Sequence, residues 1–441
     1  MTQTIKDIIN NSAAEIIDKT KNYCPLPWVH FHMSQNASTL PCCVAVINEK
    51  NSLGNLNELN FEEVWHGEKM NNFRKKMIND QPERACYVCR LQETLGEWSH
   101  RHDAIKKFHN RAKPAIETTD VETGAAPDAK PVFLDLRFSN ICNMRCRMCG
   151  LYASSRWYND AIELKKLYNT NIFVQEETAL EDIVAVSGID DSNVPELFDM
   201  LEKYISDIDE VYFAGGEPLI TDEHYQWLDR LLEHDRDDIF IRYNTNLSKL
   251  TYKSKNVIDY WKKFKNIKIY ASLDDMWARG ELLRKDTVWT EIEENLKIIK
   301  QEVPHVQLNV NCTVQILNAY NVFPFHKYLV ENGFLDRDNF YYNVLTNPIQ
   351  DSVRILPESD KRVLTQLFTE HAKWINQTKP RHDTTQIYNT IEYMNNHPTD
   401  ENELMGFGTK HARLDKLRKE DTRLVYPDLS HIWEKYWPDE I

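Results

Sequence analysis

The chain has 441 residues, enough for two or three domains with cores of their own. Its 41% hydrophobic and 27% charged content is ordinary for a globular protein. A formal charge of −15 counts against a nucleic-acid backbone as the main partner, because phosphate contacts need a basic surface. No stretch approaches the ~18 consecutive apolar residues of a membrane span. The amino-terminal residues have neither the basic start nor the apolar run of a targeting peptide. A cytoplasmic protein without a membrane partner is the expectation.

In chain order, residues 1–110 read as a small cysteine-rich α+β module. Its cysteines come as Cys24-Pro25-Leu26-Pro27-Trp28-Val29-His30, then Leu40-Pro41-Cys42-Cys43, then Cys86-Tyr87-Val88-Cys89. In a reducing compartment the nine cysteines of the chain are better read as metal ligands or reactive groups than as disulfides. Trp28 either shields a metal group or simply packs, and thiolates make His30 unnecessary as a ligand. Residues 111–131 are polar, acidic and poor in large apolar groups, which reads as a linker.

From 132 to 350 strands alternate with helices. Strands are predicted at 132–138, 210–214, 239–244, 267–271, 307–314 and 340–345, and helices at 153–168, 194–205, 222–234, 256–264, 291–301 and 322–332. Thr290 is placed to cap the fifth of these helices. Six such alternations imply a parallel sheet with right-handed crossovers. Cys312 falls inside a strand and reads as a small buried hydrophobe. Residues 351–441 read as a helical, polar extension. Its dense basic run, 410–419, reads as the solvated face of a helix.

Directly after the strand at 132–138 comes Ser139-Asn140-Ile141-Cys142-Asn143-Met144-Arg145-Cys146-Arg147-Met148-Cys149-Gly150, a C-x3-C-x2-C spacing. Three thiolates can hold three irons of a [4Fe–4S] cluster and leave the fourth open, whereas a structural metal site is closed by four ligands. A zinc knuckle lacking one ligand is the plainer reading of the triplet alone. The next strand ends in Ala214-Gly215-Gly216-Glu217-Pro218. Taken alone, that is a tight turn with proline opening a helix. The strand at 267–271 runs into Ser272-Leu273-Asp274-Asp275, where Ser272 and Asp274 suit N-capping equally well, and Arg284 could be an ordinary surface residue. Tyr243, Asn244 and Asn246, at another strand end, could line a pocket.

Together, these ordered motifs resemble the radical S-adenosylmethionine (SAM) enzymes over roughly residues 132–350. The resemblance implies an α/β fold, a partial (β/α)6 TIM-type barrel with chemistry at the C-terminal strand ends. It implies a [4Fe–4S] cluster on Cys142, Cys146 and Cys149 that binds S-adenosyl-L-methionine. It also implies cofactor contacts from Met148, Gly215, Gly216, Glu217, Ser272, Asp274 and Arg284. Met148 stands where the family often has an aromatic. The amino-terminal cysteines are similar in order to auxiliary-cluster modules of the SPASM and twitch type, with the shorter twitch kind fitting five cysteines better. This similarity implies a second [4Fe–4S] cluster on Cys24, Cys42, Cys86 and Cys89, with Cys42 preferred to Cys43. By spacing alone a zinc site remains open.

The activity so implied is reductive cleavage of SAM to a 5′-deoxyadenosyl radical, which abstracts hydrogen from a substrate. The expected substrate is a peptide, modified oxidatively with the auxiliary cluster relaying the electron, and the expected electron donor is an external flavodoxin or ferredoxin. The alternatives are a sugar or nucleotide dehydrogenase of the same kind and a non-catalytic iron–sulfur electron carrier.

Overall fold

The computed structural model describes residues 4–45, 48–94, 98–168, 184–377 and 384–440. The chain divides into two compact units. The first comprises residues 1–140, 187–242 and 263–266, and the second 141–186, 243–262 and 267–441.

In the first unit, strands β1 (His30–Met33), β2 (Ser38–Leu40), β3 (Gly54–Asn55), β4 (Phe133–Leu136) and β5 (Glu210–Phe213) lie in the order β5-β4-β1-β2-β3. The β1–β4 and β4–β5 pairs are parallel, and the β1–β2 and β2–β3 pairs antiparallel. The cysteine-rich segment therefore contributes a strand beside β4, a pairing that the sequence did not reveal. Side chains alternate across this sheet. Phe31, Met33, Leu134, Leu136, Val211 and Phe213 occupy one buried face. There Phe138 meets Phe198 of the helix Val194–Glu202, and Phe213 meets His224 of the helix Asp222–Glu233. The other face carries His30, His32, Phe133, Asp135 and Tyr212, with Phe108 of the helix His100–Thr118 stacked on Phe133. That helix enters the stretch read as a linker, because Ala112, Ala115 and Ile116 recur at helical spacing and are buried.

Strand β6 (Phe240–Thr245) crosses the division between units at Tyr243. In the second unit, β7 (Asn266–Ser272), β8 (Gln307–Val314) and β9 (Phe340–Val344) pair in parallel, in that order. The helices Trp289–Glu302 and Val322–Glu331 pack together through Trp289 and Phe325. Thr290 does not cap the first of them. That helix begins a residue earlier, and the Glu281 carboxylate accepts from the Trp289 amide at 2.8 Å. Beyond residue 350 the described elements are helices, including Glu358–Asn376, Thr385–Asn395, Glu401–Arg418 and Ser430–Tyr436. The whole is a mixed α/β fold with a large, mainly parallel sheet and a helical carboxy-terminal part. Among the described residues no helix is long and apolar enough to cross a membrane.

Candidate functional site

The loop after β4 brings Cys142, Cys146 and Cys149 together in the second unit. The Cys149 amide donates to the Cys146 carbonyl at 3.0 Å, and the Trp157 indole nitrogen donates to the same carbonyl at 3.0 Å. Trp157 is fully buried with Leu164 and Leu414, and Cys149 packs against this group. An apolar anchor thus fixes the loop from behind.

The sulfurs also have polar neighbours. Asn246 approaches Cys142 Sγ at 3.9 Å and donates to Asn143 Oδ1 at 2.9 Å, while Asn143 donates to Ser248 at 2.8 Å. Arg284 Nη1 lies 3.9 Å from Cys146 Sγ, and its Nε pairs with Asp274 at 2.8 Å. A hydrogen bond with the Cys149 thiol and the Arg284 charge hold Cys146 below the usual thiol range, against burial. Arg284 is therefore not a surface residue. Asp274 does not cap the following helix. Its Oδ1 accepts from the Thr313 amide at 2.8 Å, and the helix Trp277–Leu283 has Met276 at its cap position. Ser272 closes β7, and Met148 is half-buried beside Cys149 in sequence. Tyr243 is buried against Trp261. Cys312 is fully buried in β8, consistent with packing.

A network absent from the sequence reading grips this loop. Arg147, fully buried between two of the cysteines, donates to His411 Nδ1 at 2.9 Å, Asp415 at 2.5 Å and Glu420 at 2.6 Å. With Nδ1 accepting, His411 Nε2 carries the proton and donates to Asp351 at 3.1 Å, and Lys410 pairs with the same carboxylate. Arg418 and Arg145 share Asp160, at 2.8 and 2.7 Å. The basic run 410–419 is therefore not a solvated face. Lys410, His411, Leu414, Asp415 and Arg418 fall on one helical face and are buried. Their partners lie far away in sequence, so only the fold reveals them.

Gly215, Gly216 and Glu217 belong to the first unit. Gly215 has φ +121°, and a Cβ there would lie 3.1 Å from the Ser139 carbonyl oxygen. The Gly216 amide donates to that same oxygen at 3.1 Å. Glu217 is buried and accepts from the Leu219 amide at 3.1 Å, opening the short turn Pro218–Ile220. The tight turn is real and leaves backbone atoms of the glycines uncovered by any side chain of their own.

Also in the first unit, Cys24, Cys42, Cys86 and Cys89 line one pocket with Leu26, Ala85 and Arg101. Burial, and then the neighbouring thiols Cys43, Cys24 and Cys86, push Cys42 well above the usual thiol range. Burial pushes Cys86 up to about 12, with Cys89 adding to the effect. Cys43 instead faces Asp135, Arg137 and Arg242. Four converging thiols suit a metal group that would take up their charge on deprotonation, and Cys43 is not among the residues lining the pocket. Trp28 is fully buried, packs against Tyr23 and donates to Thr119 Oγ1 at 2.7 Å.

Two family models match the sequence. An iron–sulfur cluster-binding domain of the SPASM type covers residues 24–90, and the radical SAM superfamily covers residues 136–316. No curated protein matches. Among solved structures, anSMEcpe with bound AdoMet is similar at 19% identity and a TM-score of 0.36, over 55% of this chain and 60% of that one. The same protein with AdoMet and a Cp18Cys peptide is similar at 18% and 0.35, over 54% and 58%. Streptococcus suis SuiB bound to S-adenosylmethionine is similar at 14% and 0.37, over 69% and 63%. The chain thus spans about 60% of the length of these structures.

The fold is of the partial TIM-type class that carries radical SAM chemistry. The chain carries a radical SAM domain over residues 136–316 and a SPASM-type domain over residues 24–90 ahead of it. The first domain implies an auxiliary iron–sulfur cluster, and the second a [4Fe–4S] cluster with SAM.

Proposed function

We propose that the chain is an enzyme that cleaves SAM reductively and oxidises an unactivated position of a peptide. The observation that carries this reading is the three-cysteine loop, with Arg284 bridging the Cys146 thiol and the Asp274 carboxylate. Cys142, Cys146 and Cys149 would hold the SAM-binding cluster, and Cys24, Cys42, Cys86 and Cys89 the auxiliary one. When bound, the first cluster supplies the electron that divides SAM into methionine and a 5′-deoxyadenosyl radical.

The remaining work falls to the chain. Asn246 and Arg284 present N–H donors to two of the sulfurs, which stabilises their charge. Trp157 and Arg147 keep the loop from shifting. Gly215, Gly216 and Glu217 are assigned to the amino group of SAM, where a carboxylate pairs with the cation and a bare backbone permits close approach. Arg284 is assigned to the SAM carboxylate, and Ser272 and Asp274 to the ribose. Met148 is assigned to the adenine, largely through its backbone.

The peptide assignment rests on the similarity of the amino-terminal module to those of peptide-modifying enzymes. Anaerobic incubation with SAM, a flavodoxin or ferredoxin reducing system and candidate peptides tests it. A peptide product lighter by two hydrogens, formed together with 5′-deoxyadenosine, is expected. Stimulation of 5′-deoxyadenosine by a sugar or nucleotide but by no peptide would contradict it.

A further inference from the structure

The polar face of the first unit's sheet holds another group of potential ligands, which no iron–sulfur assignment uses. His30 and His32 stand two residues apart on β1 and so on the same face, and the register sets Asp135 of β4 opposite His32. Their side chains are 2%, 2% and 0% exposed. One donor atom from each lies within 4.8 Å of the other two.

One detail distinguishes this group from a self-satisfied hydrogen-bond cluster. His30 Nδ1 meets the Phe133 carbonyl at 3.1 Å. A carbonyl can only accept, so Nδ1 carries the proton and Nε2 the lone pair. That Nε2 is buried and has no hydrogen-bond partner. An imidazole tied down through one nitrogen to a backbone carbonyl, with its other nitrogen bare, is the usual state of a metal-ligating histidine. His32 Nδ1 pairs with Asp135 Oδ2 at 2.9 Å, so a second imidazole and the carboxylate already stand side by side near the bare His30 nitrogen.

Arg137 completes the setting, with Nε 3.1 Å from Asp135 Oδ1 and Nη2 3.2 Å from Oδ2. It fixes the carboxylate's orientation, the role of an outer partner. His100 Nε2, also buried without a partner, lies in electrostatic range of His30 and Asp135, as does Arg242 of His100. Cys43 faces Asp135 from the loop after β2. The guanidinium charges disfavour hard ions bound by charge alone, such as magnesium or calcium, which also prefer all-oxygen shells. Imidazole nitrogens favour a first-row transition ion.

We propose that His30, His32 and Asp135 form a mononuclear site for a divalent transition metal, of the zinc or ferrous type, separate from both iron–sulfur centres. Three protein ligands leave coordination positions open to water or a substrate oxygen, so the ion can act as a Lewis acid.

The test uses the complete protein with both clusters in place, dialysed anaerobically against a chelator and then titrated with zinc. One zinc per chain beyond the iron is expected. Its X-ray absorption should show imidazole scattering with nitrogen and oxygen at about 2.0–2.1 Å, and no sulfur at about 2.3 Å. His30→Gln, His32→Gln and Asp135→Asn should each weaken zinc binding at least ~100-fold while iron and sulfide content stay unchanged. The wild-type absorption spectrum decides the matter even if a variant fails to fold. No zinc retained at micromolar free metal, a sulfur shell around it, or retention unaltered by the substitutions would overturn the proposal.

Discussion

Arg147 illustrates what single side chains do in this chain. Its guanidinium is buried and donates to His411, Asp415 and Glu420. Removing one member of such a group leaves buried charges without compensation, which costs far more than a surface ion pair. Arg147→Ala should destabilise the protein by about 3 kcal/mol or more in denaturant unfolding and make it lose the iron of the neighbouring loop faster during chelation. Asp275 contributes to the pH dependence of stability. Burial pushes its carboxyl up to about 7, although the Met276 amide and Asn321 donate to it. The native state therefore holds the proton more tightly than the unfolded chain. The contribution is full below the ordinary carboxylate range near pH 4 and fades as pH rises to about 7, at about 1.4 kcal/mol per unit. Asp275→Asn should remove that slope from a series of denaturation midpoints between about pH 4 and 7. A slope equal to that of the wild type would count against the buried-acid assignment.

Among the elements, the helix Glu401–Arg418 grips the three-cysteine loop within the second unit, and the turn after β5 belongs to the first. At Gly215 the left-handed backbone and the nearby Ser139 carbonyl both exclude a side chain. Gly215→Ala should cost about 1–3 kcal/mol of stability, and calorimetry should show weaker SAM binding to the iron-loaded protein. Strands β5 to β9 were legible because they are continuous or alternating apolar runs ending at turn residues, and their observed bounds differ from the expected ones by a residue or two. Strand β1 was not legible. His30-Phe31-His32-Met33 alternates, but its polar members are buried beside β4 rather than exposed, so the pattern of a half-solvated strand is missing. The helix at 410–418 misled for a similar reason. Basic residues at helical spacing read as a wet surface unless acids distant in sequence, here Asp351 and Asp160, are known to meet them. The candidate ligands were the most legible part, because thiolate chemistry needs few residue types at tight spacings. Cys42, preferred to Cys43 on the resemblance, lines the four-cysteine pocket, while Cys43 lies near Asp135 and Arg137.

At the level of the whole molecule, composition and metal content are linked. Seven cysteines are proposed to hold two clusters, while Cys43 lies near charged groups and Cys312 is buried in a strand. Protein purified and reconstituted without oxygen should contain about eight irons and eight sulfides per chain. About four would leave one of the two centres unfilled and contradict the second cluster. The central claim is that the triplet in the second unit reduces SAM. The most direct measurement is 5′-deoxyadenosine released from SAM by the reconstituted, reduced protein under strict anaerobiosis. The wild-type chain should form it, and the variant with Cys142, Cys146 and Cys149 all replaced by Ala should not. A fully iron-loaded wild type that releases none, or a triple variant that releases as much, would contradict the claim.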